Sequence, residues 1–157
     1  MRKVIANTTP LISLADIGCF ELLQKLYGEI LIPNAVLKEI KSEPAKTMVV
    51  NSDFVHVTNI KDYNSKRIFS SRLHNGEVEV LLLAKEQSAD LLIMDDNAAK
   101  KTAKFMGFNV TGTLGVLLRG KKSGYIREIK SLIDKLIYSG FYVKPEIMQY
   151  VLEEANE

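Results

Sequence analysis

Short apolar runs alternate with stretches of helical periodicity along most of the 157-residue chain. The runs that predict strands are residues 3–6, 29–32, 54–57, 90–94 and 108–110. The fourth run, DLLIM, is apolar after its first residue, as expected for a strand that is covered on both faces. The alternation predicts one α/β domain over residues 1–157, with a mainly parallel sheet of about five strands.

Turn and capping residues predict where the helices begin and end. Thr9 and Pro10 predict an N-cap and a first helical position for a helix over residues 11–15. The other predicted helices are residues 20–26, 33–40, 75–88 (with 76 as an alternative start), 97–106, 114–122, 126–138 and 145–155. Residues 43–71 are polar and irregular, and they predict only a strand and a loop.

Polar residues follow the predicted strands. Asn7 and Thr8 follow the first strand, Asp95 and Asp96 follow the fourth, and Thr113 lies just after the fifth. In open parallel sheets, ligands bind beyond the carboxyl ends of the strands. We therefore expect the functional site at this edge.

The Asp95–Asp96 pair gives the sharpest chemical signal. Two adjacent carboxylates repel each other unless a positive group lies beside them, and Mg²⁺ or Mn²⁺ prefers oxygen ligands. In the alternative interpretation, one aspartate caps the helix that begins at Asn97 and the other is solvated.

Three glutamates are further candidates. Glu39 lies at the edge of the buried stripe of its helix, where it needs a partner, either a metal ion or a lysine such as Lys38 or Lys41. Glu77 and Glu79 are two residues apart on one helix, so only one of them can face a given cluster. Both are equally consistent with surface acids that the helix dipole favours.

The charge is distributed unevenly. Residues 74–96 contain six acids and one lysine, whereas residues 97–130 contain eight Lys or Arg and one acid. An acidic centre beside a basic flank suits a metal site next to a polyanion track, although an uneven solvated surface looks the same. The single Cys19 excludes an internal disulfide. With no export signal and no long apolar run, we expect a cytoplasmic protein without membrane contact.

Five segments occur in an order that resembles a known family. They are VIANTTPLISL, EILIPNAVLKEI, GEVEVLLLA, ADLLIMDDNAAKKTA and VTGTLGVLL. Together they resemble the PIN-domain superfamily, in particular the branch related to the VapC-like toxins of prokaryotic toxin–antitoxin systems. The resemblance implies a three-layer α/β/α fold, Mg²⁺- or Mn²⁺-dependent cleavage of RNA, a homodimer, and a small antitoxin protein as a possible partner.

The resemblance also assigns roles to individual residues. The metal ligands it implies are Asn7, Glu39, Glu77 (with Glu79 as the alternative register), Asp95 and Asp96, and the four acids are the catalytic set. The resemblance also places Thr8 and Thr113 at the site, where they could bind substrate. The basic flank adds possible phosphate contacts, which are Lys100, Lys101, Lys104, Arg119, Lys121 and Lys122. Asn7 stands where the family has an aspartate, so the site would hold Mg²⁺ more weakly.

Two functions remain open at this stage. The first is a metal-dependent endoribonuclease. The second, suggested by Asn7, is a catalytically weak or inactive module that binds RNA or a protein. A phosphate-handling receiver domain is disfavoured, because that class would need its acidic pair after the first strand, which here ends in Asn7.

Overall fold

The computed structural model describes residues 2–69 and 72–157 and contains one five-stranded sheet. The strands are β1 (Val4–Ala6), β2 (Ile30–Ile32), β3 (Val55–Val57), β4 (Leu91–Ile93) and β5 (Val110–Thr111). All five predicted strands are confirmed. The fifth begins later than predicted, because the Phe108 N–H donates to the Ala103 carbonyl and still belongs to the preceding helix end.

The order of the strands, β3-β2-β1-β4-β5, creates a crevice beside the central strand. All neighbouring strands are parallel, and Ile5 of β1 lies between Leu31 of β2 and Leu92 of β4. The chain runs outward from β1 to β3 and then returns to β4 on the other side of β1. The sheet thus has its switch point between β1 and β4, where open α/β sheets bind ligands.

Helices flank this sheet in a three-layer α/β/α arrangement, as predicted. They are α1 (Thr8–Asp16), α2 (Leu22–Tyr27), α3 (Asn34–Glu39), α4 (Ala45–Asn51), α5 (Asn75–Gln87), α6 (Asn97–Phe105), α7 (Thr113–Lys122), α8 (Lys130–Tyr138) and α9 (Pro145–Glu154). A 3₁₀ helix covers Tyr63–Ile68. Among the described helices, α5 packs against α3 and β1, and α1 packs against α3, α4 and α7.

Some predicted boundaries are wrong. Asn7, not Thr9, is the N-cap of α1, because its extended backbone (φ −86°, ψ 175°) ends β1 and its side chain accepts the Thr8 N–H. Pro10 therefore lies inside the first turn, where its missing N–H has no partner to lose.

Two longer segments also differ from prediction. Residues 43–71 contain α4 and the 3₁₀ helix in addition to β3, although residues 70 and 71 of that prediction lie outside the described part. α8 begins at Lys130 rather than at residue 126, because the Ile126 N–H donates back to the Gly120 carbonyl at the end of α7.

The core is centred on β1, β4 and α5. The three residues of β1 and the segment 92–94 are fully buried. Residues 76–84 of α5 are all buried as well, which is expected of a helix that is apolar around most of its circumference. This burial carries Glu77 and Glu79 into the protein, so the interpretation of both as surface acids is wrong.

Two further findings concern Cys19 and the character of the helices. Cys19 is partly buried against the core, and burial raises the pKa of its thiol, as expected for a structural cysteine. Among residues 2–69 and 72–157, no helix combines the length and the apolar character that crossing a bilayer requires.

Candidate active site

Asn7 ends the central strand at the crevice between β1 and β4. Its N–H donates to the Ile93 carbonyl at 2.8 Å, and its side-chain oxygen accepts the Thr8 N–H at 2.8 Å. The residue is 5% exposed. The amide therefore lies where the resemblance expects an acid, and it contributes an oxygen without a negative charge.

Two donors from other elements hold the Glu39 carboxylate at the end of α3. Its Oε2 accepts the Thr8 hydroxyl at 2.7 Å, and its Oε1 accepts the Gly76 N–H at 2.9 Å. A Cβ on residue 76 would lie 2.5 Å from Oε2, so only glycine leaves room for this approach. Neither Lys38 nor Lys41 forms an ion pair with Glu39 among the described residues, so the lysine alternative is not supported.

Glu77 lies one residue further along α5 and faces two other acids. Its Oε1 accepts the His74 N–H at 2.8 Å, which closes a capping box at the start of the helix. Burial raises the pKa of the Glu77 carboxyl, and the negative charges of Asp96 and Glu39 raise it further. The backbone N–H and the side chain of His74 oppose this rise in the pKa. Glu39, Glu77 and Asp96 therefore share one negatively charged region.

Glu79 occupies a different place. Its Oε1 accepts the Ala35 N–H at 3.1 Å near the start of α3, and its Oε2 pairs with Lys66 Nζ at 2.8 Å. The side chain is buried, and both of its oxygens are used to join α5 to α3 and to the 3₁₀ helix. These contacts favour Glu77 over Glu79 as a ligand candidate.

Asp95 is bound to the first residue of α7. Its Oδ1 accepts the Thr113 N–H at 2.8 Å and its Oδ2 accepts the Thr113 hydroxyl at 2.6 Å, and Thr113 is fully buried. A Cβ on Gly112 would lie 2.7 Å from Asp95 Oδ1 and 3.0 Å from Lys100 Nζ. The carboxylate and a lysine ammonium thus both lie close to the same glycine.

Asp96 caps the following helix, as the alternative interpretation of the aspartate pair expected for one of its members. Its Oδ2 accepts the Ala99 N–H at 2.9 Å at the start of α6, and its side chain is exposed. The cap does not remove Asp96 from the acidic region, since its charge still acts on Glu77. The two neighbouring aspartates therefore have different partners.

The predicted residues form two groups at the carboxyl edge of the sheet. In the first group, Thr8 donates a hydrogen bond to Glu39, and the charges of Glu39 and Asp96 both act on Glu77. Asp95, Thr113 and Lys100 form the second group around Gly112. Within residues 2–69 and 72–157, no three Asp, Glu, His or Cys side chains already stand in a metal-holding arrangement.

The chemistry of the first group fits a divalent cation. Its donors are all oxygens, which Mg²⁺ and Mn²⁺ prefer, and each carboxylate oxygen keeps a second lone pair beside its hydrogen bond. The raised pKa of Glu77 also reflects negative charge that a cation would offset. Glu39, Glu77 and Asp96 would hold such an ion, with Asp95 and the Asn7 oxygen as further donors.

The predicted substrate lysines divide into distinct environments. Lys100 lies beside Gly112, next to Asp95, whereas Lys101 and Lys104 are exposed on the outer face of α6. Lys121 and Lys122 pair with Glu157 and Glu154 at 2.8 and 3.3 Å. These ion pairs weaken the expectation that Lys121 and Lys122 contact phosphates.

Sequence reasoning missed the contributions of the backbone. The Gly76 and His74 N–H groups orient two of the acids, and Gly112 leaves room for Asp95 and Lys100. A signal was present in the sequence, because a glycine directly precedes both Glu77 and Thr113. Glycine next to a candidate ligand often marks the close approach of another group.

Comparison with known families agrees with this architecture. A family model described as a PIN domain matches residues 3–157. The chain therefore belongs to the PIN-domain family, whose members generally have a metal-dependent nuclease fold. Among curated proteins, no match to the chain is found.

Proposed function

We propose that the chain is an endoribonuclease that depends on Mg²⁺ or Mn²⁺ and hydrolyses RNA phosphodiester bonds. The observation that carries this proposal is the acidic region formed by Glu39, Glu77 and Asp96, beside Asp95, at the switch point of a PIN-domain sheet. A bound divalent ion supplies Lewis-acid stabilisation of the phosphoryl charge and activates the attacking water.

The chain's own residues orient this site. Thr8 and the Gly76 N–H fix the Glu39 carboxylate, and the His74 N–H fixes that of Glu77. Such donors keep ligand oxygens in position, and their loss typically costs about 10- to 100-fold in metal affinity or activity. Thr113 holds Asp95 in the same way from the other side of the crevice.

The substrate contacts in this proposal are electrostatic. Lys100, which lies close to Gly112 and Asp95, would contact a phosphate there, and Lys101 and Lys104 would contact phosphates further from the site. Contacts of this kind set affinity and position without reading sequence. Thr8 and Thr113 are proposed to act mainly by positioning acids, and to contact substrate only through their remaining lone pairs.

The test is cleavage of a labelled single-stranded RNA in Mg²⁺, in Mn²⁺ and in EDTA. We expect metal-dependent cleavage that falls at least about 100-fold in the double variant Glu39→Gln/Asp95→Asn. The exposed Glu153→Gln variant on α9 serves as a surface control and should cleave normally. Cleavage that persists in the double variant would reject this assignment of the acids.

A second candidate function has its own supporting observation. Asn7 brings no charge, and the acids of the described residues are not gathered for coordination. A non-catalytic PIN-like module that binds RNA or a protein would have these properties. Asn7→Asp separates the two candidates: an active nuclease should bind Mn²⁺ about tenfold more tightly, or better, and cleave faster. A binding module should gain no cleavage.

We further propose that this nuclease is the toxin of a toxin–antitoxin pair and acts on RNA in the cytoplasm. An antitoxin would block the acidic region at the carboxyl edge of the sheet, and the active form would be a homodimer. Co-expression of the protein encoded next to this chain should suppress both cleavage and growth arrest. Growth arrest that persists with that partner bound would contradict the toxin role.

A further inference from the structure

An open groove connects Asp95 with the segment between α8 and α9. Asp95 and Lys100 line one side of the groove, and residues 141–144 with Ile147 line the other. Its volume is about 340 Å³, within the range of about 300–1,000 Å³ that is usual for ligand pockets. The groove therefore connects the segment between α8 and α9, which lies outside the acidic region, with the candidate catalytic residue Asp95.

The far side of the groove carries an exposed aromatic ring and a cation. Tyr142 is 78% exposed although it lines the groove, and Phe141 beside it is half-buried. Lys144 follows two residues later, and no carboxylate pairs with it among the residues that the structure describes. Lys100 on the opposite side adds a second cation.

These features match the two surfaces of a nucleotide. A phosphate carries negative charge, which Lys100 and Lys144 complement, and every nucleobase has a flat face that stacks on an aromatic side chain. The base of a paired nucleotide is already stacked inside its helix, so only an unpaired nucleotide can present its face to Tyr142. Asp95 also lines the groove, so a phosphate bound there would lie near this candidate catalytic carboxylate.

We propose that this groove binds an unpaired nucleotide of single-stranded RNA, with its base stacked on Tyr142 and its phosphate between Lys100 and Lys144. The inference rests on the proposed nuclease function, because it names the form of the substrate that reaches Asp95. It selects single-stranded over double-stranded RNA and assigns Tyr142 a role in substrate binding. An exposed tyrosine could instead contact a second copy of the chain. The experiment below distinguishes this contact from RNA binding.

The experiment measures binding separately from cleavage. Fluorescence anisotropy in EDTA reports the Kd of a labelled 12-nucleotide oligoadenosine, alone and in a duplex with oligouridine. Tyr142→Ala should weaken binding of the single strand about 5- to 100-fold and leave the duplex nearly unchanged. Tyr142→Phe should retain the affinity, because the phenyl ring also stacks.

Matched controls separate stacking from other effects. Tyr142→Leu keeps an apolar side chain without a π face and should behave like Tyr142→Ala. Tyr138→Ala removes a tyrosine that is 95% exposed and does not line the groove, and it should bind RNA normally. Thermal unfolding of every variant should match the parent protein, since both tyrosines are exposed.

Several results would overturn the proposal. Equal affinity in Tyr142→Ala and the parent, or full affinity in Tyr142→Leu, would reject base stacking. A change of oligomeric state in Tyr142→Ala on size-exclusion chromatography, with RNA affinity unchanged, would assign the tyrosine to self-association. Unchanged binding with intact metal-dependent cleavage rejects the groove alone, whereas ring-dependent binding without any cleavage rejects the nuclease function alone.

Discussion

Two buried glutamates of α5 lie two residues apart and have opposite electrostatic surroundings. Glu77 is near Glu39 and Asp96, so its charge adds to an existing excess of negative charge. Glu79 pairs with Lys66 and accepts the Ala35 N–H, so its charge is compensated. The helix therefore places one glutamate in a candidate functional site and uses the other to join structural elements.

We expect replacement of these two residues by glutamine to change stability in opposite directions. The folded-state pKa of Glu77 is raised, so the folded protein binds this proton more tightly than the unfolded chain does. The resulting destabilisation is absent below the unfolded value of about 4.5 and grows as the pH rises through the raised pKa. Glu77→Gln should therefore be more stable than the parent at pH 7.5 and equally stable near pH 4, by urea unfolding in EDTA.

Glu79→Gln is the matched comparison for this prediction. It leaves Lys66 without its partner, and we expect a loss of about 1–2 kcal/mol at pH 7.5, discounted for the partial exposure of Lys66. Mn²⁺ affinity should fall at least about tenfold in Glu77→Gln and stay unchanged in Glu79→Gln. Destabilisation of both variants to the same extent at pH 7.5 would contradict the distinction.

The sequence alone could not identify which of Glu77 and Glu79 belongs to the candidate site. Spacing shows that residues 77 and 79 cannot face one cluster, but it does not show which of them meets Glu39. The answer depends on Lys66 and Ala35, which reach Glu79 through tertiary packing. For Asp95 and Asp96 the sequence was again insufficient, because the Thr113 contact that separates their roles depends on the tertiary pairing of β5 with β4.

At the start of α5, a backbone group contacts a candidate metal ligand directly. Gly76 lies in its first turn, and its N–H donates to Glu39 where a side chain would collide with that carboxylate. Glu39 ends α3. The contact between α3 and α5 is the most extensive one between elements of the described residues. A change of one small side chain at this contact should therefore affect the site more than the fold.

We expect Gly76→Ala to keep the fold and to weaken the site. The new Cβ would displace the end of a flexible side chain rather than backbone, and alanine favours a helix, so stability should change by less than about 1 kcal/mol. Mn²⁺ affinity should fall about 10- to 100-fold, because Glu39 loses its two donors. Calorimetric titration with Mn²⁺ and thermal unfolding of the same samples measure both effects.

The neighbouring Asn75→Ala variant is the control for this prediction. Asn75 is exposed in the same helical turn and should tolerate alanine without loss of metal binding. If Gly76→Ala binds Mn²⁺ as the parent does, then the position of Glu39 is not important for coordination.

At the level of elements, periodicity predicted the strands better than the helix boundaries. All five strands are short, and the apolar runs of β1, β2 and β4 are continuous, so packing and local pattern agree there. The N-cap of α1 was missed because Asn7 serves both the strand end and the helix start. α4 was missed because it is only seven residues long and buries only Ala45 and Val49, which is too few to create a visible stripe.

At the scale of the whole molecule, the basic flank of the sequence divides into free and compensated lysines. Lys101 and Lys104 are exposed on α6, and no acid pairs with them within the described residues. Lys121 and Lys122 are also close together on α7, but they pair with Glu157 and Glu154. The positive charge that is available to RNA is therefore smaller than the composition of residues 97–130 indicates.

This division predicts how RNA binding responds to salt. Each phosphate contact to a single strand contributes about 0.7 to the slope of log K against log salt, so Lys101→Gln/Lys104→Gln should reduce the slope by about 1.4. Lys121→Gln/Lys122→Gln removes the same formal charge and should reduce it by less than about 0.7, because those lysines are already paired. Anisotropy titrations of single-stranded RNA in EDTA at several salt concentrations measure both slopes. Equal reductions in the two double variants would show that total charge, rather than the position of free lysines, governs RNA binding.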